Sequence, residues 1–252
     1  MLEQIAKERV LLKKIREKCN KTSQPEVSVI ISTNKLKYID NIFMNYIKLS
    51  YPYKELIVIL NNNNLDINDY KIRASNLKDV RIFQLDESCT LGECLNFGIE
   101  QSRYNYISKI DDDDYYGPNY LLDLMNAFKY TDAKVVGKAS SFVYFEDNNT
   151  LYIRDHYNQY KYVDVITGST ILAKKEVFEK VKFKNFSLGE DTQFLIDCGM
   201  AGIKIFAADK FNYVCIRHKD LQEHTWRVHS QDIRSFCDKF LATTNFIPFV
   251  TI

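Results

Sequence analysis

Short apolar runs alternate with stretches of helical spacing through the first half of the chain. Residues 27–31, VSVII, form a β-branched run suited to a strand buried on both faces. In residues 38–49, Ile39, Ile42, Phe43, Tyr46 and Ile47 recur at helical spacing. ELIVIL (55–60) predicts a second strand, 69–77 a short helix, and VRIFQL (80–85) a third strand. GECLNFGIEQS (92–102) predicts a helix and YISKI (106–110) a fourth strand. The order is βαβαβαβ, with crossovers near the minimum length for parallel connections. It predicts an α/β fold whose mostly parallel central sheet is flanked by helices. The second half is less regular. Strands are expected at 135–145, 163–172 and 211–216, and a helix at 190–200.

Residues 2–19, LEQIAKERVLLKKIREKC, predict an N-terminal helix. Leu2, Ile5, Leu12, Ile15 and Cys19 form its apolar face, and Lys and Arg fill the other. The helix is expected to dock on the main domain or on a second copy of the chain, as in a homo-oligomer. Contact of its basic face with an anionic membrane surface is the alternative. NKTSQPE (20–26) reads as a linker, with Pro25 ending any helix. The expected boundaries are a helix and linker at 1–24, a main domain at 25–232 and a tail at 233–252.

Bulk properties exclude several classes. The formal net charge is +1, so no electrostatic reason points to nucleic acid as a partner. No segment approaches the roughly 18 apolar residues needed to span a bilayer, and the N-terminus lacks the apolar stretch of a signal peptide. A cytoplasmic location is expected, with a peripheral position at the membrane as the alternative. The six cysteines contain no Cys-x-x-Cys pair, and with four histidines they suggest reduced, mostly buried thiols and no zinc site.

The concentrated chemistry is in YISKIDDDDYYG (106–117). Four aspartates, Asp111 to Asp114, follow the fourth strand, at the edge where α/β sheets bind ligands. A calcium loop counted from Asp111 would need Gly and Glu where Tyr116 and Leu122 stand. No G-x-G-x-x-G follows the first strand and no G-x-x-x-x-G-K-[ST] occurs. Asp111 and Asp113 can point the same way from an extended segment. Two such carboxylates suit Mg²⁺ or Mn²⁺ when phosphates complete the shell. A solvated acidic turn is the bland alternative.

A second acidic site lies in NFSLGEDTQFLIDCGMAG (185–202). Ser187 and Glu190 have capping-box spacing. Asp191 falls in the first turn, where the helix dipole favours a carboxylate, and is placed to accept a proton from a hydroxyl. Upstream, Gly168 would let backbone approach a ligand, or mark a strand bulge. FNYVCIRHKDLQEHTWRVHS (211–230) holds three of the four histidines and the single tryptophan, Trp226.

Together, VSVIISTN (27–34), TLGECLNFGI (90–99), YISKIDDDDYYGPNYL (106–121) and GEDTQF (189–194) resemble a bacterial family 2 glycosyltransferase over roughly residues 27–228. The resemblance implies a GT-A fold with a Rossmann-like central sheet, a nucleotide-binding half at 25–115 and an acceptor- and sugar-binding half at 116–232. Asp111 and Asp113 match the family's D-x-D motif, implying Mn²⁺ or Mg²⁺ and contact, with Asp112, to the ribose–diphosphate of a nucleotide sugar. Asp191 matches the catalytic base of the Glu-Asp motif, with Glu190 orienting the acceptor or capping the helix. RH…HTW resembles a segment facing the diphosphate. Arg217 would pair with phosphate oxygens, His224 would complete the metal shell, and Trp226 would cover the sugar or anchor the loop. His218 is the alternative ligand.

Family members usually read the base with aspartates after the second strand, where this chain has Asn61 to Asn64. Asn61 and Asn62 can still bind uracil, favouring UDP. STN, Ser32 to Asn34, stands where P-T-Y-N is common, and Thr33 and Asn34 could contact the nucleotide. The implied reaction is inverting transfer of a hexosyl-type sugar to a hydroxyl of a glycan, lipid-linked or protein acceptor, in a bacterial surface or spore glycan. A non-catalytic nucleotide- or partner-binding module on the same fold is the alternative. A nucleotidyltransferase fits less well, because it leaves GED unexplained.

Overall fold

The computed structural model describes residues 1–19 and 24–252. Most of the expected linker, residues 20–23, lies outside the described residues. The chain begins with α1 (Leu2–Cys19), then alternates β1 (Val27–Thr33), α2 (Ile39–Lys48), β2 (Lys54–Leu60), α3 (Ile67–Ala74), β3 (Val80–Gln84), α4 (Leu91–Gln101) and β4 (Tyr106–Lys109). β5 (Tyr115–Tyr116), α5 (Tyr120–Tyr130), β6 (Val135–Gly137), β7 (Ser141–Phe145), β8 (Thr150–Arg154) and β9 (Lys161–Val163) follow. The remainder holds β10 (Leu172–Lys174), α6 (Lys175–Phe178), α7 (Glu190–Met200), β11 (Ile205–Ala207) and β12 (Tyr213–Arg217). It ends with α8 (Ser230–Ser235), β13 (Cys237–Ala242) and α9 (Ile247–Val250).

The large sheet has eight strands in the order β3-β2-β1-β4-β10-β6-β11-β9. β1 to β4 pair in parallel, as the alternation predicts. β10 runs antiparallel to β4 and β6, and β9 antiparallel to β11. Both faces are covered. Val27, Val29 and Ile31 pack with Ile42, Phe43 and Tyr46 on one side. Ile30, Ile57 and Ile59 pack with Cys94, Leu95 and Phe194 on the other. This double burial is why these strands read as unbroken apolar runs.

A second sheet, β13-β8-β7-β12-β5, makes the other wall of the site. Two expected strands differ here. The run 135–145 is two strands, one in each sheet, with Lys138 and Ser140 buried where the chain crosses between them. The segment 163–172 is mostly not strand: β9 ends at Val163, and Gly168–Thr170 forms a 3-10 turn before β10. Thr167 accepts at its carbonyl from both the Thr170 amide and hydroxyl, which favours the turn over a ladder.

α1 docks on its own chain. Ile5 and Leu12 pack behind the second sheet with Phe142, Leu151 and Phe211. Arg16 forms a bidentate pair with Asp123, Nε–Oδ1 2.7 Å and Nη2–Oδ2 2.8 Å. Leu2, expected on the apolar face, is exposed at the helix end, whereas Glu8 is buried against Lys210 at 2.8 Å. No described helix is long and apolar enough to cross a membrane.

Candidate active site

The acidic turn leaves β4 at the carboxyl edge of the parallel strands, and α2 holds its backbone. Asn41 Nδ2 donates to the carbonyls of Asp112 (2.7 Å) and Asp114 (3.0 Å). Asn45 Nδ2 donates to the Asp114 carbonyl at 2.9 Å. The Asp111 amide donates to the Tyr116 hydroxyl, which in turn donates to the Ser169 carbonyl, both at 2.8 Å. With the backbone fixed, the side chains divide. Asp112 accepts from the Thr33 hydroxyl at the end of β1. Asp111, Asp113 and Asp114 converge, each with a carboxylate oxygen within 4.8 Å of the others. Asp111 and Asp113 are the expected pair. Asp114 is an addition, buried and anchored by the Tyr213 hydroxyl (2.7 Å) and the Ile216 amide (2.9 Å).

So much negative charge is costly out of water. Burial and then the charge of Asp113 push Asp112 up to about 7. Burial and then Asp111 push Asp114 up to about 7, and burial with Asp114 and Asp111 raises Asp113 well above the usual carboxylate range. Among the described residues the one cation in direct contact is Lys109, whose Nζ lies 2.7 Å from Asp111 Oδ1. Burial alone would lower this lysine. Asp111, Glu190 and Asp191 outweigh it and keep the ammonium protonated. A divalent ion fits such a donor set: hard carboxylate oxygens converge and repel one another without it.

α7 starts on the facing wall, but not through the expected capping box. Its N-cap is Gly189, at φ 80°, a left-handed conformation that glycine adopts without strain. Ser187 instead accepts from the Leu91 amide through its hydroxyl at 3.3 Å. Glu190 is buried, and burial raises its carboxyl. Asp191 Oδ1 accepts from the Thr192 amide at 2.6 Å. Its Oδ2 lies against Gly168: a Cβ on that glycine would sit 1.5 Å from Oδ2 and 2.4 Å from Cγ. Gly168 is thus required by side-chain proximity, at the turn that replaces the expected strand.

The third wall is β12 and the segment after it. Arg217 is buried, donates to the carbonyls of Val228 (2.7 Å) and Trp226 (3.5 Å), and lies 5.9 Å from the Trp226 ring centroid. Among the described residues its Nε, itself buried, has no hydrogen-bond partner. His224 stacks on His218 with centroids 5.4 Å apart, and its Nε2 faces the His218 carbonyl at 3.4 Å. Burial, then Arg217 and His218, bring His224 down to about 4, so it is neutral at pH 7. It stands outside the convergent carboxylate group.

These walls enclose one cavity of about 860 Å³. Ser32, Thr33, Asn34, Asn61 and the four aspartates line it, as do Gly168, Glu190, Asp191, Arg217, His224 and Trp226. Asn62 does not. Its amide is used within the loops, donating to the Asn34 carbonyl and accepting from the Asn64 amide. Sequence reasoning passed over Lys109, Arg154 and Tyr213, which also line the cavity. A lysine inside the apolar YISKI strand was the available signal for the first. Tyr213 and Arg154 come from the second sheet, which the sequence did not reveal.

A family model described as "Glycosyl transferase family 2" matches residues 28–209. The chain belongs to that family. Its fold is that of S. aureus TarS 1-349, with a TM-score of 0.59 at 16% identity over 76% of this chain and 60% of that one. The same protein in complex with UDP-GlcNAc gives a TM-score of 0.61 at 15% identity, covering 77% of this chain and 59% of the other. The present chain therefore spans about 60% of the TarS chains it resembles. No curated protein matches. In this glycosyl transferase family 2 chain the acidic turn, the Gly168–Asp191 contact and Arg217 all lie within the matched stretch or just beyond its end at residue 209.

Proposed function

We propose that the protein is an inverting, metal-dependent glycosyltransferase that moves a sugar from a nucleotide diphospho-sugar, UDP-linked by preference, to an acceptor hydroxyl. The observation that carries this reading is the shared cavity: three convergent carboxylates on one wall and Asp191 on another, about 860 Å³ of space between. Asp111, Asp113 and Asp114 would hold Mn²⁺ or Mg²⁺. Such an ion supplies Lewis-acid neutralisation of charge on a departing diphosphate. Arg217, a buried guanidinium that lines the cavity and donates to the Trp226 and Val228 carbonyls, would add positive charge facing the phosphate oxygens.

Asp191 Oδ2 takes the proton of the acceptor hydroxyl. The acceptor oxygen forms a bond to the anomeric carbon as the bond from that carbon to the diphosphate oxygen breaks, and the diphosphate leaves with the electron pair. A single displacement inverts the configuration. Thr192 fixes the other oxygen of Asp191, so the accepting atom is set in place before substrate arrives. Ser32, Thr33, Asn34, Asn61, Glu190 and Trp226 line the cavity, and in this reading the first four would contact the nucleoside, Glu190 the acceptor and Trp226 the sugar. A cytoplasmic location and a role in a bacterial surface glycan accompany the reading.

UDP and UDP-sugar titrations with and without Mn²⁺ test the donor side, and transfer or donor hydrolysis tests the base. Asp113→Asn is expected to remove the Mn²⁺-dependent part of UDP affinity. Asp191→Asn is expected to lower turnover by about 10²–10⁴ with donor affinity largely retained, the usual scale of general-base assistance. Equal loss of affinity and turnover in Asp191→Asn would count against a base at that position.

A further inference from the structure

The inner face of the five-stranded sheet brings a second arginine into the cavity. Cross-strand register places Cys215 beside Val143, Val143 beside Tyr152, and Ser141 beside Arg154. Tyr213, Cys215 and Arg217 alternate along β12 and line the cavity, and Arg154 at the end of β8 lines it with them. Arg217 is buried and committed to two carbonyls of the following loop. Arg154 is half-buried and much less engaged. Its Nη2 donates to Thr167 Oγ1 at 2.8 Å, and it forms no ion pair with any carboxylate among the described residues. Asp155, the next residue, is exposed and does not pair with it. A guanidinium carries five N–H donors in a planar fork, so most of this one's donors remain available.

The position of those donors gives them a direction. Thr167 directly precedes Gly168, and Gly168 touches the Asp191 carboxylate. The fork is thereby tied to the turn that meets the base, while its charge also reaches Cys215 and Arg217 on β12. The acidic turn is anchored on different residues, Tyr213, Ile216, Asn41 and Asn45. A half-buried guanidinium that forms no ion pair among the described residues, and that is joined through Thr167 to the turn meeting the base, is suited to an anionic group on the acceptor. We propose that Arg154, positioned by Thr167, forms an anion subsite that binds a phosphate or carboxylate carried by the acceptor. The role assigned to Asp191 under the glycosyl-transfer reading is what makes this the acceptor side.

Calorimetric titrations of the full chain with glucose 6-phosphate, glucuronate and glucose test the subsite. UDP with Mn²⁺ is titrated separately. Wild type is expected to bind at least one of the two anionic sugars about tenfold more tightly than glucose, the worth of one charge-assisted pair. Arg154→Gln is expected to bring that preference below about twofold and to leave UDP–Mn²⁺ affinity unchanged. The stronger of the two anionic sugars tells phosphate from carboxylate. Equal or absent binding of all three sugars by wild type, or a preference that survives in Arg154→Gln, overturns the subsite. So does a parallel loss of UDP affinity, which would move Arg154 to the donor. Should Arg154→Gln not fold, Arg154→Lys decides: it keeps the charge but not the fork, and an unreduced preference overturns the proposal. Wild type that takes no UDP with Mn²⁺ fails the donor reading alone, because the sugar titrations stand without nucleotide.

Discussion

Gly168 lies so close to Asp191 that no side chain can be added to the glycine without displacing the acid. An alanine methyl would occupy the space of the Asp191 carboxylate, 1.5 Å from Oδ2 and 2.7 Å from its Cβ, so the acid must swing away. Gly168→Ala is expected to lower turnover by about 10²-fold, the usual cost of misplacing a reacting group by about 1 Å. UDP–Mn²⁺ affinity is the control, and unchanged turnover would contradict the contact. Asp111, Asp113 and Asp191 were legible as candidates because acidic groups gather after a strand and open a helix in motifs that resemble the family's, and all three line one cavity. Asp114 was not, since four identical neighbours give no sign of which turn inward; tertiary partners at Tyr213 and Ile216 decide that. Ser187 and Glu190 show the opposite error. Their spacing fits a capping box, but Gly189 starts the helix, while Thr90 and Glu93, at the same spacing, form a complete box.

Among the elements, α1 is held by charge as well as apolar packing. Glu8 and Lys210 are both buried and pair at 2.8 Å, while Gln159 donates to Glu8 at 2.7 Å. Removing one member leaves the other charge in a poor solvent. Glu8→Gln is expected to cost about 3–5 kcal/mol in denaturant unfolding, and adding Lys210→Met should recover much of it. A loss below about 0.5 kcal/mol would mean that the pair behaves as a surface one. The apolar stripe predicted this helix, but the burial of Glu8 was invisible because its partner lies some 200 residues away. The same limit applies to the strands. β1 to β4 are buried on both sides and read directly from sequence. The three-residue strands β6, β9, β10 and β11 are too short for any period to register, and their sheet membership depends on distant partners.

Across the whole molecule, buried charge ties the domain together and sets its response to pH. Asp123, paired with Arg16, is pushed up to about 6 by burial and then by Asp209, against the pull of Arg16. Its ordinary value is 3.8. The folded chain therefore keeps a proton that the unfolded chain releases over that interval. This group's contribution to stability is full below about pH 4 and is lost as pH rises through about 6. The Tm of Asp123→Asn relative to wild type is expected to climb between pH 4 and 7; a constant difference would show that Asp123 does not titrate there. Fold class was legible because it follows from local alternation, whereas the two-sheet enclosure of the cavity emerges from pairings between β5, β7, β8, β12 and β13. One local device spans these levels. Two asparagines of α2 grip the backbone of the acidic turn, and amides neither gain nor lose protons in ordinary buffers. Acidification can therefore quench the turn's negative charge and leave its contour standing, so activity lost in mild acid should return on neutralising without any refolding delay.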